Sequence, residues 1–370
     1  MTPELPPITT SITLPLPFDP GADPNDDPYV KLKKQFGMYS GREIETIARQ
    51  LPADNHLVEG LIPPCSVNLL VGDSGIGKSP MAYQVGLAIA AGVPFLGLPV
   101  KPGKVVFADY ENHLRDVHRI VSQQRKHLGL ATIPSSFLFW PLSRTPELED
   151  MEKIVKMLAP ELVVIDSLRA FRPEMETDSV AAVHQIRKLR AIAASRGTAF
   201  LLVHHVRKHQ LLGTGLEDGH ALDWLRRAAG VRALVNQTDV RLALARRAPA
   251  KVRTEGAADL VLSGHFRTRG DVGPFLIRRV WDSDGEPAGY ERFEPNPAMI
   301  ENEEQERAFH QLAEEFTFRE ALQTLRKADE SVNWFLHKLV RLGLARKTGR
   351  GKYRKCVLCA QEGSPVSKCL

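Results

Sequence analysis

A glycine-rich segment that ends in lysine and serine is the clearest chemical feature of the sequence. It follows the apolar run 67–71, has the spacing G-x-x-x-x-G-K-S, and consists of Gly72, Asp73, Ser74, Gly75, Ile76, Gly77, Lys78 and Ser79. Glycines let successive backbone N–H groups point at phosphate oxygens, Lys78 can reach the β- and γ-phosphates, and the Ser79 hydroxyl can ligate Mg²⁺. Pro80 falls in the first turn of the helix predicted next, where a missing N–H costs little. A glycine-rich turn without a ligand is the alternative, but the apolar run and the following helical segment favour a nucleotide site over residues 72–80.

Two acidic residues follow other apolar runs and could serve that nucleotide. Asp166 ends the run 162–165, where a carboxylate would hold Mg²⁺ alongside Ser79. Its alternative role is to cap the next turn. Glu111 lies just past the run 104–108, and a carboxylate there can orient and deprotonate an attacking water. Asp109 competes with Glu111 for this role.

Adjacent histidines, His204 and His205, follow the predicted strand 198–203. Neighbouring residues of a strand point to opposite sides, so the two are poor partners for one metal ion. One of them could contact a γ-phosphate, and the alternative places one in the core and one in solvent.

The cysteines are Cys65, Cys356, Cys359 and Cys369. The C-x-x-C pair could be half a zinc site, but free thiols in a frayed tail are favoured because no second pair lies near.

The composition of the 370 residues is that of a globular protein, with 43% apolar and 25% charged residues. We find no apolar run long enough to span a bilayer and no signal-peptide pattern near the beginning, so we predict a cytoplasmic protein without membrane partners. The formal net charge is +5. Basic residues gather at 225–280 and 337–355, which permits nucleic-acid binding without requiring it.

Alternating strands and helices must position these residues. Strands are predicted at 67–71, 104–108, 137–140, 162–167 and 198–203, and helices at 81–91, 114–128, 148–158 and 179–195. This alternation predicts an α/β fold with a mostly parallel sheet and helices on both faces. Further strands are predicted at 233–245 and 259–281, with a hairpin turn at 282–285. Residues 207–227 lack a clear period and are predicted to form a loop, in which Arg207, Lys208 and His209 are candidate DNA contacts.

The chain is predicted to divide into four parts. Residues 1–40 are predicted to form a disordered or loosely docked arm that is acidic and proline-rich, 41–298 the nucleotide-binding domain, 303–358 a small second domain and 359–370 a flexible tail. Helical patterns at 304–316, 319–327 and 332–342, followed by a hairpin at 343–355, give a winged-helix layout. Its candidate DNA contacts are Lys338, Arg341, Arg350, Lys352 and Arg354. A helical protein-docking domain with a solvated basic face is the alternative.

Residues 61–244 resemble the RecA-like hexameric ATPases of the RepA replicative-helicase type. The resemblance rests on motifs in the family's order: Leu61-Ile62-Pro63, the loop 72–79, Ala88 to Leu98, Asp109-Tyr110-Glu111-Asn112, Val164-Ile165-Asp166-Ser167-Leu168 and Leu202-Val203-His204-His205. It implies a hexameric ring with ATP between subunits. It also implies that Glu111 is the catalytic base and that His205 or His204 senses the γ-phosphate. The family's R-G-S-S arginine finger falls near Ala229 here, so either Arg227 or Arg232 replaces it with a shift or the finger is lost.

Three functions follow from these features. The first is Mg²⁺-dependent ATP hydrolysis coupled to DNA binding or translocation, in a helicase-like replication or recombination ATPase of a plasmid, phage or mobile element. Its DNA would be single-stranded, or double-stranded through the winged helix. The second is an ATP-gated DNA-binding regulator or loader with slow hydrolysis. The third is an ATP-gated interaction protein that binds no nucleic acid.

Overall fold

The computed structural model describes residues 30, 35–36, 38–50, 56–141, 147–206, 216, 221–228, 232–247 and 259–356. The chain forms two units, one up to Ala53 and one from Asp54 onward. The first contains helix α1 (Gly41–Gln50). All other elements belong to the second unit.

The second unit is built on a sheet of nine strands within the described residues. The strands are β1 (Val67–Gly72), β2 (Val105–Asp109), β3 (Phe137–Pro141), β4 (Leu162–Asp166), β5 (Ala199–His205), β6 (Val240–Arg246), β7 (Leu260–Phe266), β8 (Gly270–Trp281) and β9 (Pro287–Arg292). Their order is β3-β2-β4-β5-β1-β6-β7-β8-β9. The first six strands in this spatial order, from β3 at the edge to β6, pair in parallel. The pairs β6–β7, β7–β8 and β8–β9 are antiparallel. The predicted α/β class with a mostly parallel sheet is confirmed.

Helices cover both faces of this sheet. They are α2 (Lys78–Ala91), α3 (Leu114–His127), α4 (Leu148–Leu158), α5 (Leu168–Phe171), α6 (Ser179–Arg196), α7 (Ala221–Ala228) and α8 (Arg232–Gln237). Alternate residues of β1 enter different cores, because side chains of a strand point to opposite faces. Leu70 packs with α2 and α3, whereas Leu69 and Val71 pack with α4, α6, α7 and α8.

Two predicted elements are wrong. The segment 233–245, predicted as one strand, is helix α8 followed by β6. The Arg190 guanidinium binds the Gln237 carbonyl and both oxygens of Asp239, so the helix ends there and the chain turns into the strand. Residues 221–227, predicted as loop, lie in α7. Ala221, Trp224 and Leu225 have the i, i+3, i+4 spacing of one helix face and are buried against the sheet.

The end of the described chain has its own core. It contains α9 (Glu303–Gln311), β10 (Glu315–Thr317), α10 (Phe318–Leu325), α11 (Asp329–Arg341), β11 (Ala345–Gly349) and β12 (Lys352–Lys355). The strands form a small antiparallel sheet in the order β10-β12-β11. The helix predicted at 304–316 ends at Gln311, because Phe316 joins the sheet and stacks on Tyr353, with ring centroids 5.7 Å apart.

Candidate functional site

The phosphate loop connects β1 to α2 at the carboxyl edge of the parallel strands. A Cβ added at Gly72 would lie 2.5 Å from the carbonyl oxygen of Leu244, so the loop leaves β1 at a position that requires glycine. Gly75 and Gly77 have φ angles of +71° and +107°, which favour glycine. Any side chain at Gly77 would also clash with the hydroxyl of Tyr290. The glycine spacing seen in the sequence is therefore a backbone requirement.

Lys78 lies at the centre of the site, with only 3% of its surface exposed. Its ammonium donates to the carbonyl oxygen of Asp73 at 2.7 Å and to Nδ1 of His205 at 3.1 Å. Burial lowers the pKa of Lys78 to about 8, against the opposing effect of Asp166 and other nearby carboxylates. The amine is thus held between the loop and the end of β5, a position from which it can meet an anionic ligand.

Glu111 is joined to Lys78 through His205. The His205 Nε2 atom lies 3.5 Å from Oε2 of Glu111, and the Ser167 hydroxyl donates to Oε1. These contacts, His205 first, lower the pKa of Glu111 to about 2 against the effect of burial. The carboxylate is therefore ionised at neutral pH and can accept a hydrogen bond from water.

Asp109 differs from Glu111 in that its carboxylate is buried and accepts four hydrogen bonds. It accepts from the Tyr83 hydroxyl at 2.6 Å, from the backbone N–H groups of Glu111 and Asn112 at 2.8 and 2.9 Å, and from Asn112 Nδ2 at 2.9 Å. Asp109 is 2% exposed. Its geometry is that of a residue that shapes the turn presenting Glu111. Tyr83 and Ser167, which support these carboxylates, were not singled out from the sequence.

Asp166 is buried at the end of β4. Neither of its carboxylate oxygens has a hydrogen-bond partner among the residues that the structure describes. Burial raises its pKa to about 7, an effect that Ser79 opposes. A buried pair of carboxylate oxygens beside a hydroxyl fits Mg²⁺, which takes one or two carboxylates and completes its shell with phosphate oxygens and water. The carboxylate caps no turn, so the alternative role is not supported.

The two histidines face opposite ways, as the strand alternation predicts. His204 is 3% exposed, and its Nδ1 lies 3.1 Å from Oε1 of Glu176, away from Lys78. His205 alone of the pair contacts Lys78 and Glu111. The sequence could not choose between them, because the choice depends on which face of β5 meets the loop.

Of the two predicted arginine-finger residues, Arg232 makes no contact with Lys78 or Glu111 among the described residues. Arg232 is exposed at the start of α8, and Arg227 lies in α7 with its side chain outside the described atoms. Arg246, which the sequence analysis did not single out, is exposed at the end of β6. Together with Lys78 it opposes the rise in the pKa of Asp73 that burial causes. Arg246 is therefore a cation at the edge that carries the phosphate loop.

The predicted DNA contacts fall into three groups. Arg207, Lys208 and His209 lie outside the described residues, as does the side chain of Arg341. Lys338 donates to the Ile300 carbonyl and Arg354 pairs with Glu315, so both are engaged within their own unit. Arg350 and Lys352 are exposed at the turn between β11 and β12.

The cysteines give no metal site in the described part of the chain. Cys65 and Cys356 are exposed and outside any disulfide, and Cys359 and Cys369 lie beyond the described residues. No cluster of three or more His, Cys, Asp or Glu side chains there is arranged to hold a metal ion by itself. None of the described helices is long and apolar enough to cross a membrane.

Comparison with known proteins agrees with the loop and the sheet. Residues 38–210, just under half of the chain, match the model of the AAA domain family AAA_25. The chain is 28% identical over 169 residues to DNA repair protein RadA of Halalkalibacterium halodurans, covering 45% of this chain and 32% of that protein. It is 25% identical over 178 residues to DNA repair protein RadA of Listeria monocytogenes, covering 47% and 34%. The match thus spans about a third of each relative's length.

Two solved structures are distantly similar. One is a KaiC-like protein, PH0186, from Pyrococcus horikoshii, with 16% identity, a TM-score of 0.40, and coverage of 66% of this chain and 96% of that one. The other is the RadB recombinase, with 18% identity, a TM-score of 0.41, and coverage of 62% and 92%. The phosphate loop and the parallel sheet around it have the RecA-like P-loop NTPase fold, and the match of residues 38–210 to the AAA domain model agrees with that fold.

Proposed function

We propose that the chain is a Mg²⁺-dependent ATPase that acts on DNA. The observation that carries the proposal is the continuous contact from Lys78 through His205 to Glu111, beside the buried carboxylate of Asp166. This contact supports the proposal because it brings together, at one edge of the sheet, a cation that could bind phosphate, a carboxylate that could ligate a metal ion and an ionised carboxylate. The RadA proteins, whose name associates them with DNA repair, support DNA as the partner.

In this proposal each residue of the site has its own role in hydrolysis. The N–H groups of the loop 73–77 and the Lys78 ammonium bind and orient the phosphates. Ser79 and Asp166 would hold Mg²⁺, which would neutralise phosphate charge. Glu111 accepts a hydrogen bond from the attacking water and orients it. The His205 and Ser167 contacts lower its pKa to about 2, so Glu111 stays ionised to accept that hydrogen bond and is a weak base while these contacts persist.

DNA contact is assigned to two regions. The first is the segment 207–227, which follows β5 and contains Arg207 and Lys208. The second is the unit 303–356, whose order of helix, strand, helix, helix, strand, strand supports the winged-helix interpretation. Helix α11 would be its reading helix, and Arg350 and Lys352 would contact phosphates. Helicase-like translocation by a hexameric ring belongs to this proposal and rests on the resemblance to the RepA type.

Steady-state ATP hydrolysis with and without single-stranded DNA tests the function. We expect DNA to stimulate turnover in the full chain, and Lys78→Ala and Glu111→Gln to abolish it. Glu59→Gln, an exposed glutamate outside the site, is the matched control and should retain it. Turnover that persists in Glu111→Gln but not in Lys78→Ala would contradict the role of Glu111.

The position of Arg232 and the low pKa of Glu111 support a second function, in which hydrolysis is slow. Arg232 is exposed on α8 and joins no contact with Lys78 or Glu111, and the contacts of Glu111 keep it a weak base. An ATP-gated DNA-binding regulator or loader with slow hydrolysis would have these features. Tight ATP binding, negligible turnover and ATP-dependent DNA binding would favour it over the motor. ATP binding with no effect of DNA in any assay would instead favour the interaction protein.

A further inference from the structure

Two adjacent arginines, Arg246 and Arg247, lie at the end of β6, the strand next to β1 and its phosphate loop. The register of these strands pairs Leu244 with Gly72, the first residue of the loop. Leu244 belongs to the core that contains α2, and Ala245 to the core on the other face of the sheet. Because side chains alternate between the faces, Arg246 is on the face of α2 and Arg247 on the opposite face.

The end of β6 meets the phosphate loop through both charge and main chain. Burial raises the pKa of Asp73, and the charges of Lys78 and Arg246 oppose that rise. The carbonyl oxygen of Leu244 lies 2.5 Å from the position that a Cβ at Gly72 would take, so the two backbones are in close contact. The conformation at the start of the loop therefore depends on where β6 ends.

Arg247 contacts the unit 303–356, which we name the C-terminal unit. Its Nη2 atom donates to the carbonyl oxygen of Val340, in the last turn of α11, at 2.9 Å. The Gly343 N–H donates to the same oxygen at 3.1 Å. Carbonyl groups in the last turn of a helix lack the next intrahelical donor, and a cation there also interacts favourably with the helix dipole. Arg247 thus caps α11 from the nine-stranded sheet.

The same end of α11 packs closely on the sheet. Gly343 has a φ of +74°, and a Cβ added to it would lie 2.5 Å from Cδ1 of Leu276 on β8 and 3.2 Å from Cγ of Pro295. The backbone of Arg247 is held as well, because its N–H donates to the carbonyl oxygen of Asp259 at 3.1 Å. The end of α11 is therefore fixed against the end of β6, although the C-terminal unit has a core of its own.

We propose that Arg247 couples the phosphate loop to α11, so that ATP bound at the loop stabilises the end of this helix. The inference rests on the proposed function, in which the loop binds ATP and α11 contacts DNA. Arg247 is a positioning residue in it, because it acts through the end of β6. Binding that orders the loop also restrains Leu244 and the two arginines after it. Coupling between two sites is reciprocal, so DNA bound by α11 strengthens ATP binding to the same degree.

Hydrogen exchange of the full chain, with and without Mg²⁺ and a non-hydrolysable ATP analogue, tests this coupling. The peptides to compare cover the phosphate loop, 72–79, and the end of α11 with the turn after it, 338–345. We expect the analogue to slow exchange in both peptides of the unaltered chain, by about fivefold at the end of α11. In Arg247→Gln only the loop should respond, because the contact with α11 is lost.

Arg125→Gln is the matched control. Arg125 is partly buried like Arg247, and its guanidinium also donates to backbone carbonyls after a helix end, those of Leu130 and Ala131 at 2.6 Å each. This variant should respond as the unaltered chain does. Arg247→Lys keeps a cation for the Val340 carbonyl and should retain part of the response. A purely structural role of Arg247 would lower the Tm without changing the ratio of exchange rates with and without the analogue.

A slowed loop with an unchanged end of α11 in the unaltered chain would overturn the coupling, as would equal responses in Arg247→Gln and Arg125→Gln. Arg247→Met, which keeps the apolar stem, takes the place of Arg247→Gln should that variant fail to fold. A loop that does not respond to the analogue would instead contradict ATP binding, and with it the proposed function. If the end of α11 responds but the chain binds no DNA, the coupling stands and the assignment of DNA to α11 is wrong.

Discussion

The hydroxyl of Tyr290 donates a hydrogen bond of 2.9 Å to the carbonyl oxygen of Gly77, 213 residues earlier in the chain. Tyr290 lies on β9, and its backbone N–H and C=O are both bound by the Gln84 side chain of α2, at 2.8 Å each. The last antiparallel strand therefore supports the loop and the helix that would bind the phosphates.

Replacing Tyr290 by Phe should weaken ATP binding with little effect on the chemical step. The ring would stay in the core while one hydrogen bond of ~1 kcal/mol is lost, so we expect the KM for ATP to rise about fivefold at an unchanged kcat. Steady-state kinetics measure this split. Tyr353→Phe, a buried tyrosine of the small sheet, should leave the KM unaltered. A fall in kcat alone would contradict a positioning role.

Replacing Gly77 by Ala should be far more disruptive than replacing Gly129 by Ala. Both positions have a positive φ, but only Gly77 places a new Cβ against another residue, the Tyr290 hydroxyl. We expect Gly77→Ala to lower the Tm and abolish ATP binding. Adding Tyr290→Phe removes the clashing oxygen and should restore part of the stability. Strictly additive Tm changes in the double variant would argue against the clash.

Replacing His205 by Ala should shift the pH dependence of hydrolysis. His205 is the largest cause of the lowered pKa of Glu111, so its loss lets that pKa rise from about 2 toward the usual range of glutamate. The carboxylate is then protonated at higher pH. We expect the acid limb of the kcat profile to move upward by one to two pH units, roughly. His118→Ala, an exposed histidine of α3, should leave the limb unmoved.

Replacing Asp166 by Asn should stabilise the chain in the absence of Mg²⁺ at alkaline pH. The folded-state pKa of Asp166 is raised from 3.8 to about 7, so its contribution to stability is present below pH 3.8 and is lost as the pH rises through 7. Asparagine avoids that loss, which is at most ~4 kcal/mol at ~1.4 kcal/mol per pKa unit. Thermal unfolding between pH 5 and 8 measures the effect, and the Tm of Asp166→Asn should exceed that of the unaltered chain increasingly as the pH rises.

Added ATP and Mg²⁺ should reverse this order. A bound cation compensates the buried charge of Asp166, so it should raise the Tm of the unaltered chain. Asp166→Asn should gain less, because asparagine lacks the charge. An equal gain in both chains would mean that Asp166 is no metal ligand.

The sequence alone was enough to predict the α/β class, the position of the glycine-rich loop and the residues at which the parallel strands end. These depend on local patterns: apolar runs of strand length, helical periods between them, and glycines where the backbone needs a positive φ. Predictions from these local patterns were wrong where contacts with residues distant in the chain override the local preference for helix or strand. The Arg190 contacts with Gln237 and Asp239 end α8 inside a predicted strand, and Phe316 leaves a predicted helix to stack on Tyr353.

Only the tertiary structure could decide which side chains meet. The register pairs Asp109 with Asp166 and Gly72 with His205, so residues far apart in the chain share one edge of the sheet. The packing directs His205 toward Lys78 and His204 toward Glu176. It also buries the Asp109 carboxylate among hydrogen-bond donors, whereas Glu111 stays in the site. Tyr290 lies outside every motif, because its hydrogen bonds to Gly77 and Gln84 form only when the antiparallel strand β9 packs against the phosphate-loop helix.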